Sequence, residues 1–285
     1  MKYDQLFDRI AALHLNLYRM SVWDGEQVFT RVFAPSNRCT NCYSVAKVFV
    51  VTALGFLWDE KRFDVNEPIL KYLRNETDTV PKPEWEAVTI EQAIEHTIGF
   101  REGFLDIDAD DVASYPTDDY LKLVLLQSLY YVPGMHYQYT DAAYYLLSRL
   151  VTALSHEKLD SFLWKRLLKP MGFTEAAWSR CPFEYPMGAT GLYISTEDML
   201  KIARLYLQNG VYGEKRYLSQ RWVDLVFARN YELHPITPGG LIGKGGMFGQ
   251  GILADRSRNI AAAWQGHTVD KTDTGIFLSL LDEAL

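Results

Sequence analysis

Cysteine is scarce and odd in number. The chain of 285 residues has three, which implies no disulfide framework. Two of them form Cys39-Thr40-Asn41-Cys42. A CxxC with no second pair and no nearby His is weak evidence for zinc, and a redox CxxC would usually open a helix after a strand. The histidines show no HExxH or comparable ligand spacing, so no metal and no cofactor is expected. Runs of Lys and Arg are missing, and the net charge is −7, which argues against nucleic acid as a partner. Long hydrophobic runs are missing as well. The run Val48–Leu57 is too short to span a bilayer and stops at Trp58-Asp59-Glu60-Lys61-Arg62. The start, Met1-Lys2-Tyr3-Asp4-Gln5, lacks the basic, then apolar, then small-residue layout of a signal peptide. As written the chain is expected in the cytoplasm, with a removed leader left open. No internal repeat or low-complexity segment is visible, and the oligomeric state has no signal.

What is there is ordinary for a globular chain: 48% hydrophobic and 23% charged residues. Residues 3–14 read as a short amphipathic helix. Leu15–Trp23 and Gln27–Phe33 read as strands joined at Asp24-Gly25, a strong hairpin signal. A polar loop, Ala34–Tyr43, leads to a helix at Ser44. From Asp64 to about Pro186 the pattern is mainly helical. Thr89-Ile90-Glu91-Gln92 is a capping box, and Asp119–Leu129, Asp141–Leu154 and Leu159–Leu168 carry apolar residues at helical spacing. Ser195 opens another helix that ends near Asn209-Gly210. Ile252–Ala254 and Asn259–Trp264 read as strands around a turn, and Asp270–Leu285 as a closing helix weakened by Gly275. Sequential hairpins at both ends favour an antiparallel sheet. The expected class is α/β of the α+β type. Residues 1–60 and 190–285 build the sheet domain, flanked by helices, and 61–189 form an inserted, mainly helical domain.

Ser44 and Lys47 are the most informative residues. If Ser44 begins a helix, Lys47 lies one turn on, on the same face. A serine hydroxyl is a poor nucleophile until a base takes its proton, and a nearby amine can be that base. The pattern is cheap, because Ser155-His156-Glu157-Lys158 matches it too. There the polar setting makes Ser155 an N-cap for the helix entering Leu159, Phe162 and Leu163. Two more elements separate the pairs: Tyr139-Thr140-Asp141 preceded by Pro133-Gly134, and Lys244-Gly245-Gly246 near the C-terminus. Each has a bland alternative. Tyr139 is one of 18 tyrosines. Lys244 could sit in a phosphate cradle, but position 238 is Pro and Gly245 replaces the Ser or Thr of a P-loop.

The order Ser-x-x-Lys, then Pro-Gly…Tyr-x-Asn, then Lys-Thr-Gly or His-x-Gly is the signature of penicillin-recognising serine hydrolases. The chain resembles that superfamily, most closely its class C β-lactamase, D-alanyl-D-alanine carboxypeptidase and family VIII esterase branch. Asp64-Val65-Asn66-Glu67-Pro68-Ile69, His96-Thr97-Ile98-Gly99, Pro170-Met171-Gly172 and Gly191-Leu192-Tyr193-Ile194-Ser195-Thr196 are similar to further family segments in the family's order. The resemblance implies an active site between the two domains and a small-molecule or peptide acyl substrate: an ester, amide or β-lactam. Ser44 would be the nucleophile, Lys47 a base with a lowered pKa, and Tyr139 the alternative base and later proton donor. Which of Lys47 and Tyr139 takes the serine proton stays open. Lys244 would favour Tyr139 as phenolate and orient a substrate carboxylate. Gly245 and Gly246 would leave room for substrate, and the N–H groups of Ser44 and Met247 would form the oxyanion hole. Asp141 stands where the family has Asn. An ionised carboxylate only accepts hydrogen bonds, which argues against efficient β-lactam hydrolysis. A binding or sensing protein with little turnover, on the same scaffold, is the alternative. Gln265-Gly266-His267-Thr268 mimics the family's third motif, but too little chain follows it, so His267 is set aside in favour of Lys244.

Overall fold

The two terminal segments of the chain build one six-stranded sheet. Its strands are β1 (Leu17–Trp23), β2 (Val28–Val32), β3 (His234–Pro235), β4 (Ile242–Gly245), β5 (Gly251–Asp255) and β6 (Ile260–Gly266). They lie in the order β2-β1-β6-β5-β4-β3, every neighbouring pair antiparallel. The helices that position the site are α1 (Asp4–Ala12), α2 (Ala46–Asp59), α3 (Asp141–Ser155), α4 (Thr196–Leu207) and α5 (Lys271–Ala284). The computed structural model describes residues 3–285. These fall into two units. One holds Met1–Val48, Met171–Ala176 and Leu192–Leu285, the other Phe49–Pro170 and Ala177–Gly191.

In the first unit the hairpin forms where Asp24-Gly25 predicts it. Asp24 Oδ1 accepts the N–H groups of Glu26 and Gln27 at 3.1 and 3.2 Å, and Gly25 takes a φ of 104°, which a side chain would resist. Pairing of Met20 with Trp264 and of Val22 with Ala262 puts these residues on one face. There they pack, with Leu253, against Leu6, Phe7 and Ile10 of α1 and Phe277, Leu280 and Leu281 of α5. The other face carries Ser21, Ile252, Ala263 and Gln265 and receives α4. Thr196 Oγ1 donates to Gln265 Oε1 at 2.7 Å, and Gln265 Nε2 donates to the Ile194 carbonyl at 2.6 Å. Lys244 pairs with Ile252 and so belongs to this second face.

The second unit is helical. Ala142 to Leu147 of α3 are fully buried, and the shorter helices Leu70–Leu73, Ile90–Ile94, Tyr120–Leu125 and Leu159–Leu163 pack on it. The Thr89–Gln92 capping box forms, and Thr140 caps α3 by accepting the Ala142 N–H. α2 is apolar all round, and Phe49 to Leu54 are fully buried, as a helix without a polar face must be. No helix among the described residues is long and apolar enough to cross a membrane.

Some local expectations need correction. The loop Ala34–Tyr43 contains a strand, Cys39–Asn41, paired with Leu192–Ser195. Three residues are too few to show a period. The helix Gln220–Arg229, capped by Ser219, was not anticipated although Trp222, Val223 and Val226 sit at helical spacing. Ser155 is not an N-cap. It closes α3, donating to the Val151 carbonyl at 2.7 Å and accepting the Glu157 N–H at 3.1 Å. The helix from Leu159 ends as a π-helical stretch, Trp164–Leu168.

Candidate active site

The chain reaches Ser44 through an unusual turn. Cys42 N–H is anchored to the Leu192 carbonyl at 2.9 Å. Tyr43 follows with φ 48°, a left-handed conformation uncommon for a bulky residue and frequent at functional sites. Asn41 Oδ1 accepts the Tyr43 N–H at 2.9 Å and holds the turn. Tyr43–Val45 is a 3-10 turn that runs straight into α2. Ser44 and Lys47 are thus brought together as their spacing predicts, with Lys47 Nζ 3.1 Å from Ser44 Oγ. Lys47 is 0% exposed, among Val45, Ala46, Val48, Val50 and Val51, all buried.

The end of β4 is pressed onto this turn. A β-carbon at Gly246 would lie 2.7 Å from the Cys42 carbonyl oxygen and 3.2 Å from Tyr43 Cβ. Only glycine fits, so the backbone of residues 246–247 runs beside the residue preceding the nucleophile. The loop is braced by Gln250. Its carbonyl accepts the Gly246 N–H at 2.8 Å and its Oε1 the Phe248 N–H at 3.2 Å, while its Nε2 donates to the Gly266 carbonyl at 2.7 Å. The N–H groups on both sides of Met247 are therefore fixed, and the Met247 side chain is 45% exposed. Phe248 lies edge-on to Tyr43 at 5.0 Å and stacks on His267 at 4.2 Å. Tyr43 and His267 also line a cleft of about 250 Å³ with Tyr18, Thr40, Asn41 and Tyr193.

Lys244 lies on β4, and two strands and a helix follow it, whereas only α5 follows His267. Its ammonium forms an ion pair with Glu232, both side chains nearly buried at 6% and 3% exposure. Neither CxxC thiol is in a disulfide. Cys39 Sγ donates to Glu175 Oε2 at 3.3 Å. Burial, then the Glu175 hydrogen bond and charge, push its thiol up to about 11.

Tyr139 and Asp141 belong to the second unit. Tyr139 lies over the ring of His96, centroids 4.5 Å apart. His96 is buried and left-handed, φ 57°. Its Nδ1 accepts the Thr140 N–H at 3.3 Å and its carbonyl accepts the Gln138 N–H at 2.8 Å. Nδ1 as acceptor puts the proton of the neutral ring on Nε2. His96 thus positions the segment that carries Tyr139. Asp141 opens α3 and is 7% exposed. Asp106 lies close enough that its carboxyl is pushed up, first by burial and then by the charge of Asp141. Tyr43, His96, Glu232 and Gln250 were not anticipated as site-building residues. Tyr43 adjoins the nucleophile and His96 sits in a recognisable motif, whereas Glu232 and Gln250 carry no local signal.

The Beta-lactamase family model matches residues 20–275. The 6-aminohexanoate-dimer hydrolase of Paenarthrobacter ureafaciens is 25% identical over 213 residues, 69% of this chain and 52% of that protein. The chain spans about half the length of the curated relatives it matches. Among solved structures, EstCE1, a hydrolase with promiscuous acyltransferase activity, matches with TM-score 0.77 at 14% identity, covering 98% of each chain. A penicillin-binding protein homologue from Caulobacter crescentus matches with TM-score 0.74 at 11% identity, covering 99% of this chain and 97% of its own. At these identities the two structures establish the fold.

Proposed function

The chain belongs to the Beta-lactamase family, and from that premise we propose that it is a serine hydrolase working through an acyl-enzyme on Ser44. The observation that carries the proposal is the 3.1 Å approach of Lys47 Nζ to Ser44 Oγ, with the Lys side chain fully buried. Exclusion from water disfavours the charged form of an amine, and a neutral amine at hydrogen-bond distance can accept the serine proton.

Ser44 Oγ bonds to the substrate carbonyl carbon while its proton passes to Lys47 Nζ or to Tyr139. The carbonyl electron pair moves onto oxygen, where the N–H groups of Ser44 and Met247 receive it. Donors fixed in advance at the developing charge supply much of the rate, and the Gln250 brace is what would fix Met247. Collapse restores the carbonyl and breaks the bond to the leaving group, which takes a proton from Tyr139 or Lys47. Water then attacks the acyl carbon and gives one proton to the base; the bond from Ser44 Oγ to that carbon breaks, the free acid leaves, and the proton from water passes to Ser44 Oγ.

Hydrolysis is what the names of two relatives state, and an ester or amide is the substrate class assigned to this chain. Asp141 as an acceptor selects a substrate group that donates, an N–H or a cation, and makes a β-lactam the poorer substrate. The test is hydrolysis of a short-chain nitrophenyl ester by wild type and Ser44→Ala. Turnover that vanishes in the variant supports the proposal, and turnover equal in both refutes it.

A further inference from the structure

We propose that Glu232 is a positioning residue that closes the Lys244 position to substrate carboxylates, so that the substrate end meeting Lys244 is uncharged; this rests on the serine-hydrolase proposal above. The residue acts through Lys244. The two form an ion pair inside the first unit, with side-chain exposures of 6% and 3%. A charge so placed is already matched and has little water to share.

The backbone is built to deliver Glu232. The helix Gln220–Arg229 ends at Asn230, left-handed at φ 56°. Glu232 is itself left-handed at φ 60°, a conformation disfavoured for a residue with a side chain and kept only where the surroundings enforce it. Tyr231 and Leu233, on either side, are both 0% exposed, and Tyr231 N–H is tied to the Val226 carbonyl at 2.9 Å. His234 pairs with Gly243, which brings the residues just before β3 alongside Lys244. The flanking Gly243 and Gly245 add no side chain to β4.

A substrate carboxylate reaching Lys244 would have to displace Glu232 or sit beside it as a second buried anion. Both are penalised where water is scarce, because like charges interact strongly there and buried charges need their partners. An ester or amide oxygen faces no such penalty, since the paired ammonium can still donate a hydrogen bond. The expected substrate is therefore an acyl ester or amide that brings no carboxylate to Lys244.

Two arms test this. The first compares kcat/KM for phenyl acetate and 3-carboxyphenyl acetate. Wild type should favour the neutral ester by about tenfold or more, and Glu232→Gln should erase that preference through KM rather than kcat. The paired replacement Lys244→Met/Glu232→Gln, which removes both charges of the pair together, should keep the wild-type ratio within about threefold. An unchanged ratio in Glu232→Gln overturns the proposal. So does a selective loss of the carboxylate ester in the paired variant, which would mean that Lys244 reads carboxylates in the wild type. The second arm needs no turnover. Benzoate is titrated calorimetrically into Ser44→Ala and Ser44→Ala/Glu232→Gln, and the second should bind at least about tenfold tighter. Equal affinity, or no binding to either, overturns the proposal. Should neither ester show Ser44-dependent hydrolysis, the serine-hydrolase proposal fails and the benzoate arm alone decides this one.

Discussion

Gly246→Ala is the most exacting perturbation of the site that leaves its chemistry in place. The added methyl would sit 2.7 Å from the Cys42 carbonyl oxygen, 3.2 Å from Gln250 Oε1 and 3.2 Å from Tyr43 Cβ. Neither Gly246 nor its neighbour Gly245 is left-handed, so the cost is steric. The carbonyl is backbone, and the Cys42 N–H is tied to Leu192, so the turn before Ser44 or the 246–247 segment has to move. Overpacking of this kind costs about 1–3 kcal/mol. A shift that unseats one oxyanion donor lowers kcat about 10²–10³-fold. Gly245→Ala is the matched control for stability, because its methyl meets nothing closer than the Gln250 carbonyl at 3.9 Å. Surface changes of that sort stay within about 0.5 kcal/mol. Thermal unfolding of the two variants side by side, and ester hydrolysis by Gly246→Ala against wild type, are the measurements. Gly246→Ala with wild-type stability and kcat would refute the close approach of β4 to the nucleophile turn.

Two further outcomes follow from buried groups. Lys47→Met should lower kcat about 10²–10⁴-fold, the worth of a general base; a variant that is folded by circular dichroism and keeps the wild-type kcat would contradict that role. Cys39 is pushed from the ordinary 9.0 up to about 11 by burial and then by Glu175, so at pH 8 it holds about a hundredfold less thiolate than an ordinary thiol. Iodoacetamide should label it slowly, faster in Glu175→Gln and faster as pH rises toward 11; labelling at the rate of free cysteine would contradict the burial.

How much was legible in the sequence depended on range. Asp24-Gly25, the Thr89 capping box and the Ser44–Lys47 spacing are local rules, and each has its expected geometry here. Ser155–Lys158 shows the limit of such rules, because Ser155 turned out to end a helix rather than start one. A residue just past a long apolar helix and just before the next serves either role by pattern alone. Gly246 was recognised as small, but what it must avoid is a carbonyl two hundred residues earlier in the chain, which no local pattern encodes. Glu232 is the clearest case. It lies in a short connection without periodicity, and its importance comes only from the strand it is folded against. The sequence presents Lys244 as a ready cation, and in the fold its charge is paired.

The central claim is that Ser44 is the nucleophile. Intact-protein mass spectrometry after treatment with a fluorophosphonate, followed by peptide mapping, tests it most directly. One adduct per chain, on Ser44 and absent from Ser44→Ala, is the predicted result. Folded protein that takes up no adduct, or takes it up at another residue with Ser44 unmodified, would contradict the account.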